Sequence, residues 1–398
     1  MKVLVIFNDY LEAGGERQSV ASEVRALEAS DITVKLFKID NEHLAELNTF
    51  DRARAVLSNK AVIEDLRSEI RSFKPDIVHA ENIFPQLGGA AIKVLHDERI
   101  PWVRTIRNYR KGCLAATYVR DGETCTLCSG TSLAVRGVRY ACYQSSYKAS
   151  LGAGLFRLLD SRAEEQYPPG SYISVSKFVA DRVAKDLVQG VPNHPIHNAV
   201  SLPDSIHRLA VSARSHDLCF VGRLEEEKGV RIALDIAESL GRSIVVIGDG
   251  SLSREVQARA SSSSGRISFC GALSYPNTMA TVADSKVVLV PSAWDEPFGR
   301  VAAEALAVGA LPIVSNRGGL PEIVSELEYD AVVESYSIDA WRIAVLNLLT
   351  RADSELNLLS QSAMRQWARS FSESALATQL VGVYSSVTER YSVGQDHE

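Results

Sequence analysis

No uninterrupted apolar segment in this chain approaches the ~20 residues needed to cross a bilayer, so no membrane-spanning helix is expected. Basic residues are not in surplus either. The 43 Lys and Arg against 49 Asp and Glu leave a net charge of −6, which gives the chain as a whole no attraction for nucleic acid and requires any cationic surface to be local. No Ser/His/Asp set and no carboxylate pair suited to double displacement stands out, so a dedicated nucleophile is not expected. A leader of secretory type is not expected either. Lys2 is followed only by the short apolar run Val3 to Phe7 and then by Asn8 and Asp9, and the expectation is a cytoplasmic protein, at most resting on the inner face of a membrane.

What is present is enough for two cores. With 398 residues, 46% of them hydrophobic and 23% charged, the chain can bury two domains and is not disordered. The opening MKVLVIFND reads as a buried parallel strand because its apolar run does not alternate. Further strands are expected at Thr33–Phe37, Ile77–His79, Trp102–Ile106 and Tyr172–Val175, with helical stretches between them. From Asp217 the pattern restarts, with strands at Leu218–Val221, Ser243–Ile247, Ile267–Phe269, Val287–Val290 and Leu311–Val314, and helices including Val230–Leu240 and Arg300–Val308. Two α/β halves of Rossmann type follow, joined near Val191–Asp204, where Pro192 and Pro195 read as a linker. The tail from Glu355 to Tyr391 has one long helical pattern.

The most informative block is EPFGRVAAEALAVG, Glu296 to Gly309. Pro297 suits a first helical position, which places Glu296 in the loop and Glu304 on the second helical turn. Free N–H groups at a helix start attract anions, and Gly299 admits a ligand close to the backbone. A carboxylate beside an anion site accepts from hydroxyls, so sugar plus phosphate is the ligand class that fits. The block alone also reads as an amphipathic helix with one exposed and one capping acid.

With its flanks VVLVPSAWDEPFG and GALPIVSNRGGLPEIV, this block resembles the E-x7-E signature of the retaining glycosyltransferases of family 4 (glycosyl transferases group 1), nucleotide-sugar enzymes of the GT-B fold. CFVGRLEEEKGV and VVIGDGSL upstream are similar to further family segments. The resemblance implies two Rossmann-like domains facing an interdomain cleft. The first covers 1–190 with an insertion at about 108–160 and the second, which binds the donor, covers 205–365. A C-terminal helix, 366–398, is expected to return to the first. It also implies that Arg223 and Lys228 bind the diphosphate, that Glu296 lies near the donor sugar and that Glu304 accepts from the ribose. Gly14, Gly15, Gly222, Gly250, Pro297, Phe298 and Gly299 line the donor, and Gly318 with Gly319 shapes a turn nearby. GDG at Gly248–Gly250 lacks the spaced fingerprint of a dinucleotide site. Two cations and a helix start can replace a metal, so no catalytic magnesium is expected.

The implied activity is a hexosyltransferase that uses a UDP- or GDP-sugar, with retention, on a glycan or lipid-linked acceptor in cell-surface or exopolysaccharide biosynthesis. Transfer on one face, with the departing phosphate taking the acceptor's proton, needs no nucleophile. Glu81 and Arg107 depart from the pattern by standing where the family commonly has histidines, and His79 reads as buried. Either they form a salt bridge or Arg107 acts catalytically on donor or acceptor. A binding protein that has lost turnover, and a phosphorylase or epimerase, therefore stay as alternatives.

Cys113, Cys125, Cys128 and Cys142, with one C-x2-C, fit a structural zinc site or four ordinary thiols. Cys219 and Cys270 read as core residues. The stretch Thr131–Leu159 holds Arg136, Arg139, Lys148 and Arg157, no acid, and interleaved apolar residues including Tyr147, Leu151, Leu155 and Phe156. It fits an anionic membrane, an acceptor carrying phosphate, or a partly buried helix pair.

Overall fold

In a computed structural model of the protein, the described residues are 1–9, 15–41 and 59–395. Two compact units divide them, Met1–Ala199 with the C-terminal segment from Glu373, and Val200–Ser372.

The first unit is built on a six-stranded parallel sheet in the order β2-β1-β3-β4-β7-β8. Its strands are β1 Lys2–Asn8, β2 Thr33–Ile39, β3 Ile77–Ala80, β4 Trp102–Ile106, β7 Ser171–Ser174 and β8 Asn193–Pro195. The unalternating sequence of β1 is explained by helices covering both faces: Val3, Val5 and Phe7 pack on one side and Leu4 and Ile6 on the other. Each such side chain contributes roughly 1.5–3 kcal/mol by burial. The C-terminal helix Glu373–Gln395 belongs to the first of these faces through Leu376, Ala377, Leu380, Val383 and Tyr384.

Between β4 and β7 the chain is irregular. A two-residue hairpin, β5 Val119–Arg120 with β6 Glu123–Thr124, and the short helix Val135–Arg139 precede the helix Tyr147–Gln166. Only Leu114, Ala134 and Ala153 form the buried part of this region's own cluster.

The second unit repeats the architecture with the parallel order β11-β10-β9-β12-β13-β14. Its strands are β9 His216–Val221, β10 Ile244–Ile247, β11 Ile267–Phe269, β12 Ser285–Val290, β13 Leu311–Ser315 and β14 Val332–Val333.

Several sequence expectations change. Pro195 is not linker but the end of β8, a strand at the sheet edge, where a missing N–H breaks no ladder. The tail is two helices, Asp353–Ser370 and Glu373–Gln395. Cys219 is fully buried in β9, but Cys270, one residue beyond β11, is exposed. Pro297 does not open a helix: the helix starts at Arg300, after a left-handed Gly299.

Candidate functional site

In the second unit, the loops that follow β9, β10, β12 and β13 all leave the carboxyl ends of parallel strands, the side of an open α/β sheet where ligands bind. Gly222 follows β9 and donates its N–H to Ile247 of β10 at 3.0 Å. Gly250 lies where an added Cβ would meet the Leu224 carbonyl at 2.6 Å, so its place there is a close backbone crossing.

Lys228 ends a short 3-10 turn, and its Nζ lies 2.6 Å from Oε1 of Glu296 and 5.1 Å from the Trp294 ring centroid. Ser292 Oγ and the Trp294 indole N–H donate to the same oxygen, at 2.7 and 3.2 Å. Burial pushes the Glu296 carboxyl up, but the Lys228 charge and these hydrogen bonds hold it below the usual value, so it stays ionised. The pair is positioned by backbone. Gly318, at φ +62°, sits where a Cβ would lie 2.1 Å from the Glu296 carbonyl, and Gly319 N–H donates to that carbonyl at 2.7 Å. Gly229, at φ +74°, presses equally on the Pro291 carbonyl, which fixes the residue after Lys228 against the strand that leads to Glu296.

Arg223 is mostly exposed and pairs with Glu227 at 3.4 Å, a contact that water screens strongly. Glu226 goes instead to Arg231 and Glu225 to Ser251, so the three acids after Arg223 do not neutralise Lys228.

The helix Arg300–Val308 has Gly299 at its N-cap and no side-chain cap. Glu304, one turn in, is buried. Its carboxylate lies 2.8 Å from Arg300 and hydrogen-bonds Tyr275, while burial raises its pKa above the usual value. Phe298 turns into the core, edge-on to Phe371 with ring centroids 6.0 Å apart, so its side chain is packing. Pro297 lies between it and Glu296 in the same loop. Gly15 begins the first helix of the first unit, and Gly14 falls outside the described residues.

Arg107, just beyond β4, is buried in the first unit. It donates from Nε and Nη2 to both oxygens of Glu81, at 2.6 and 2.7 Å, and from Nη2 to Glu23 at 2.7 Å, and Nη1 bonds Asn198. This is the salt bridge that the sequence offered as one reading, with partners it did not show. His79, fully buried, lies 2.8 Å from Glu23 through Nδ1, and its ring nitrogens also reach the Tyr384 hydroxyl and Thr105 Oγ1, each at 2.6 Å. Burial and the neighbouring Glu23 charge push Glu81 up to about 7 despite Arg107. Burial acts the same way on Glu23, but His79 and Arg107 outweigh it and bring Glu23 down to about 2. Two carboxylates close to one guanidinium are thus pushed in opposite directions, Glu81 up and Glu23 down. Glu23, His79 and Glu81 also place ligand atoms within 4.8 Å of one another, the grouping a metal ion needs, but the Arg107 guanidinium already supplies the positive charge there.

The four clustered cysteines share one neighbourhood. Burial raises the Cys128 and Cys142 thiols; Cys142 also feels the other three cysteines, and Cys128 feels Cys113 and Cys125. All four are half-buried, yet no three of their sulfurs fall within 4.8 Å of one another. The basic stretch divides into a buried and an exposed part. Arg157 and Phe156 are buried, whereas Arg136, Arg139 and Lys148 stay exposed beside Tyr147, Leu151, Leu155 and Leu159, which recur every fourth residue on one helix face.

These features can be set beside known proteins. Residues 206–365 match the family Glycosyl transferases group 1. The second unit carries a group 1 domain. D-inositol 3-phosphate glycosyltransferase of Corynebacterium efficiens is 30% identical over 197 residues, which is 46% of each chain. The chain spans about half the length of the curated relatives it matches first. Among solved structures, sucrose-phosphate synthase from Thermosynechococcus elongatus superposes with a TM-score of 0.68 at 16% identity, over 96% of this chain and 98% of that one. Anabaena HepE in complex with UDP-glucose gives 0.64 at 14%, over 97% and 100%. Identities this low speak for the fold alone, which is GT-B. The group 1 domain contains Arg223, Lys228, Glu296 and Glu304, all within the matched residues.

The raised Glu81 carboxyl makes a pH prediction. A carboxyl whose pKa is raised on folding adds stability that is complete below its unfolded value of 4.5 and is lost as pH rises through about 7. Glu81→Gln keeps the contacts of a protonated Glu81, so the stability of the parent relative to the variant should fall between pH 5 and 8, by about 3 kcal/mol at most. Urea denaturation at stepped pH measures this, and parallel curves would overturn the upward shift of Glu81.

Proposed function

We propose that this protein is a retaining glycosyltransferase that moves a hexose from a UDP- or GDP-sugar to a glycan or lipid-linked acceptor in cell-surface or exopolysaccharide biosynthesis. The observation that carries the reading is the Lys228–Glu296 pair beside an uncapped helix start, inside a group 1 domain. In the reaction the bond from the anomeric carbon to the diphosphate oxygen breaks, and a bond to the acceptor hydroxyl forms. The hydroxyl proton leaves with the diphosphate. Negative charge grows on that diphosphate, so Arg223, Lys228 and the N–H groups at Arg300 act where they bind it more strongly in the transition state. Glu296, kept ionised, accepts from the sugar hydroxyls. Glu304 is the proposed ribose acceptor, and the ribose would compete there with Arg300 and Tyr275. UDP-glucose in the HepE complex supports the donor class.

A second reading, sugar-nucleotide binding without turnover, is favoured by Arg107, whose guanidinium is held by Glu81, Glu23 and Asn198. A donor screen by thermal shift, followed by release of nucleoside diphosphate from the hit, separates the two. Glu296→Gln should lower kcat/KM about 100-fold or more, and Lys228→Ala should do the same. Binding without release supports the second reading, while release indifferent to both variants defeats the site.

We also propose structural zinc at Cys113, Cys125, Cys128 and Cys142. Four thiols around a region with so small a core fit such a staple in number and type. Around zinc the sulfurs stand about 3.8 Å apart, so the metal would draw them inward. Purified protein should hold close to one equivalent of zinc and Cys125→Ser far less, and under about a tenth of an equivalent in the parent ends the idea.

Finally, the apolar row Tyr147, Leu151, Leu155 and Leu159, with Arg136, Arg139 and Lys148, suits peripheral contact with an anionic membrane. No helix of the described residues is long and apolar enough to cross one. Vesicles containing phosphatidylglycerol should bind the parent at least tenfold better than Leu151→Glu/Leu155→Glu, and equal binding overturns the contact.

A further inference from the structure

Glu304, the proposed ribose acceptor, shares its place with a tyrosine that no motif marks. Tyr275 opens the helix Tyr275–Ala283, which packs beside the helix Arg300–Val308 that carries Glu304. Arg300 bridges the two. Its Nε lies 2.8 Å from Oε1 of Glu304, its Nη2 donates to the Tyr275 hydroxyl at 3.4 Å, and its guanidinium carbon stands 5.6 Å from the Tyr275 ring centroid.

The Tyr275 hydroxyl has a further partner. It donates to the Ser201 carbonyl at 2.9 Å, while it is also within hydrogen-bond reach of Glu304. A phenol carries one proton, so these two acceptors compete for it. Burial, helped by the Glu304 charge, pushes the hydroxyl up to about 12, so the proton is not lost to solution near neutral pH. With the site empty, an ionised Glu304 is the stronger competitor, because a bond to a charged oxygen is about twice as strong as one to a neutral carbonyl. A ribose alters that balance. Its hydroxyls donate to the carboxylate and occupy its lone pairs, and the Tyr275 proton turns to Ser201.

Ser201 lies where the chain enters the second unit. The chain passes from the first unit to the second between Ala199 and Val200 and returns between Ser372 and Glu373. Within the second unit the Val200 N–H donates to the Phe371 carbonyl at 2.8 Å, and the Val200 carbonyl accepts from the Trp367 indole N–H at 3.0 Å. The entering and leaving segments are therefore tied to each other, and Tyr275 fastens the next carbonyl along.

We propose that Tyr275 is a positioning residue that links ribose binding at Glu304 to the chain passage at Ser201. A bound ribose strengthens the bond from Tyr275 to Ser201, and by reciprocity that bond favours the ribose. The link rests on Glu304 as the ribose acceptor, and the two fail on different results.

Titration calorimetry on the full chain with UDP, GDP and their 2′,3′-dideoxy counterparts reads the ribose end. The parent should bind the tighter of the two ribonucleotides at least tenfold better than its dideoxy form. Tyr275→Phe keeps the ring beside Arg300 and removes only the hydroxyl, so it should bind the dideoxy form as the parent does and lower the preference to under threefold. Hydrogen exchange reads the other end. The ribonucleotide should slow exchange in the segment Ala199–Leu202 at least threefold in the parent and leave it unchanged in Tyr275→Phe. A parent that binds neither nucleotide, or binds the dideoxy form equally well, overturns Glu304 as the ribose acceptor and this link with it. A parent that discriminates, beside a Tyr275→Phe that discriminates equally, overturns the link alone. Equal weakening of both forms in the variant, or exchange that responds alike in both proteins, also overturns the link.

Discussion

The Lys228–Glu296 ion pair is the contact on which the chemistry of the second unit depends. Removing either partner would leave a largely buried charge without compensation, which costs several kcal/mol and explains why so much backbone is spent on holding the two together. Glycines are spent for the same reason. At Gly318 a side chain would strike the Glu296 main chain, and at Gly229 it would strike the Pro291 carbonyl, so two turns are pressed onto the pair at distances that only glycine permits. The three donors on Oε1 hold the Glu296 carboxyl below its usual value although burial pushes it up. The site is therefore organised before a ligand arrives, the condition under which fixed charges lower a barrier rather than simply reorganise around it.

The first unit solves a different electrostatic problem. Arg107 faces two carboxylates with a histidine beside them that reaches Tyr384; carboxylate charge neutralises the guanidinium, and burial with the second acid pushes Glu81 up. The C-terminal helix completes that cluster, because Tyr384 reaches His79 from more than three hundred positions away in sequence. Stability of the sheet and the protonation state of the cluster are thereby linked through one helix.

Much of the second unit was legible because its signals are local. Trp102–Ile106 in the first unit, and Val230–Leu240 and Ile267–Phe269 in the second, have the bounds that pattern alone suggests, since the apolar run lies within each segment and Gly229 and Gly241 flank the helix. The Lys228–Glu296 contact was not legible as a bond, although both residues were singled out by their motifs. Its partners come from loops after different strands, and sequence spacing carries no distance between them. Glu23 and Tyr384 left no signal at all, being an ordinary acid and an ordinary tyrosine on helices whose inward faces only the fold decides. Pro195 misled because proline marks breaks and sheet edges equally well. Arg157 misled because one helix shows Leu151, Leu155 and Leu159 to solvent and turns Phe156, Arg157 and Asp160 inward, a division that composition over the whole stretch averages away.

The arginines of the first unit fall into two kinds, and the difference bears on where its ligand chemistry lies. Arg104 and Arg107 are each matched by at least two buried carboxylates, so their charge is consumed by the fold and an incoming anion would have to displace a partner of equal strength. Arg110 and Arg157 keep donors that the fold does not satisfy, although both sit where water is largely excluded. A protein loses stability by leaving such donors unmet unless something else meets them. The sequence directed attention to Arg107, because it stands where a histidine is common. The balance of contacts directs it to Arg110 instead, three residues further along the same segment, whose Nε and Nη1 have no hydrogen-bond partner among the described residues.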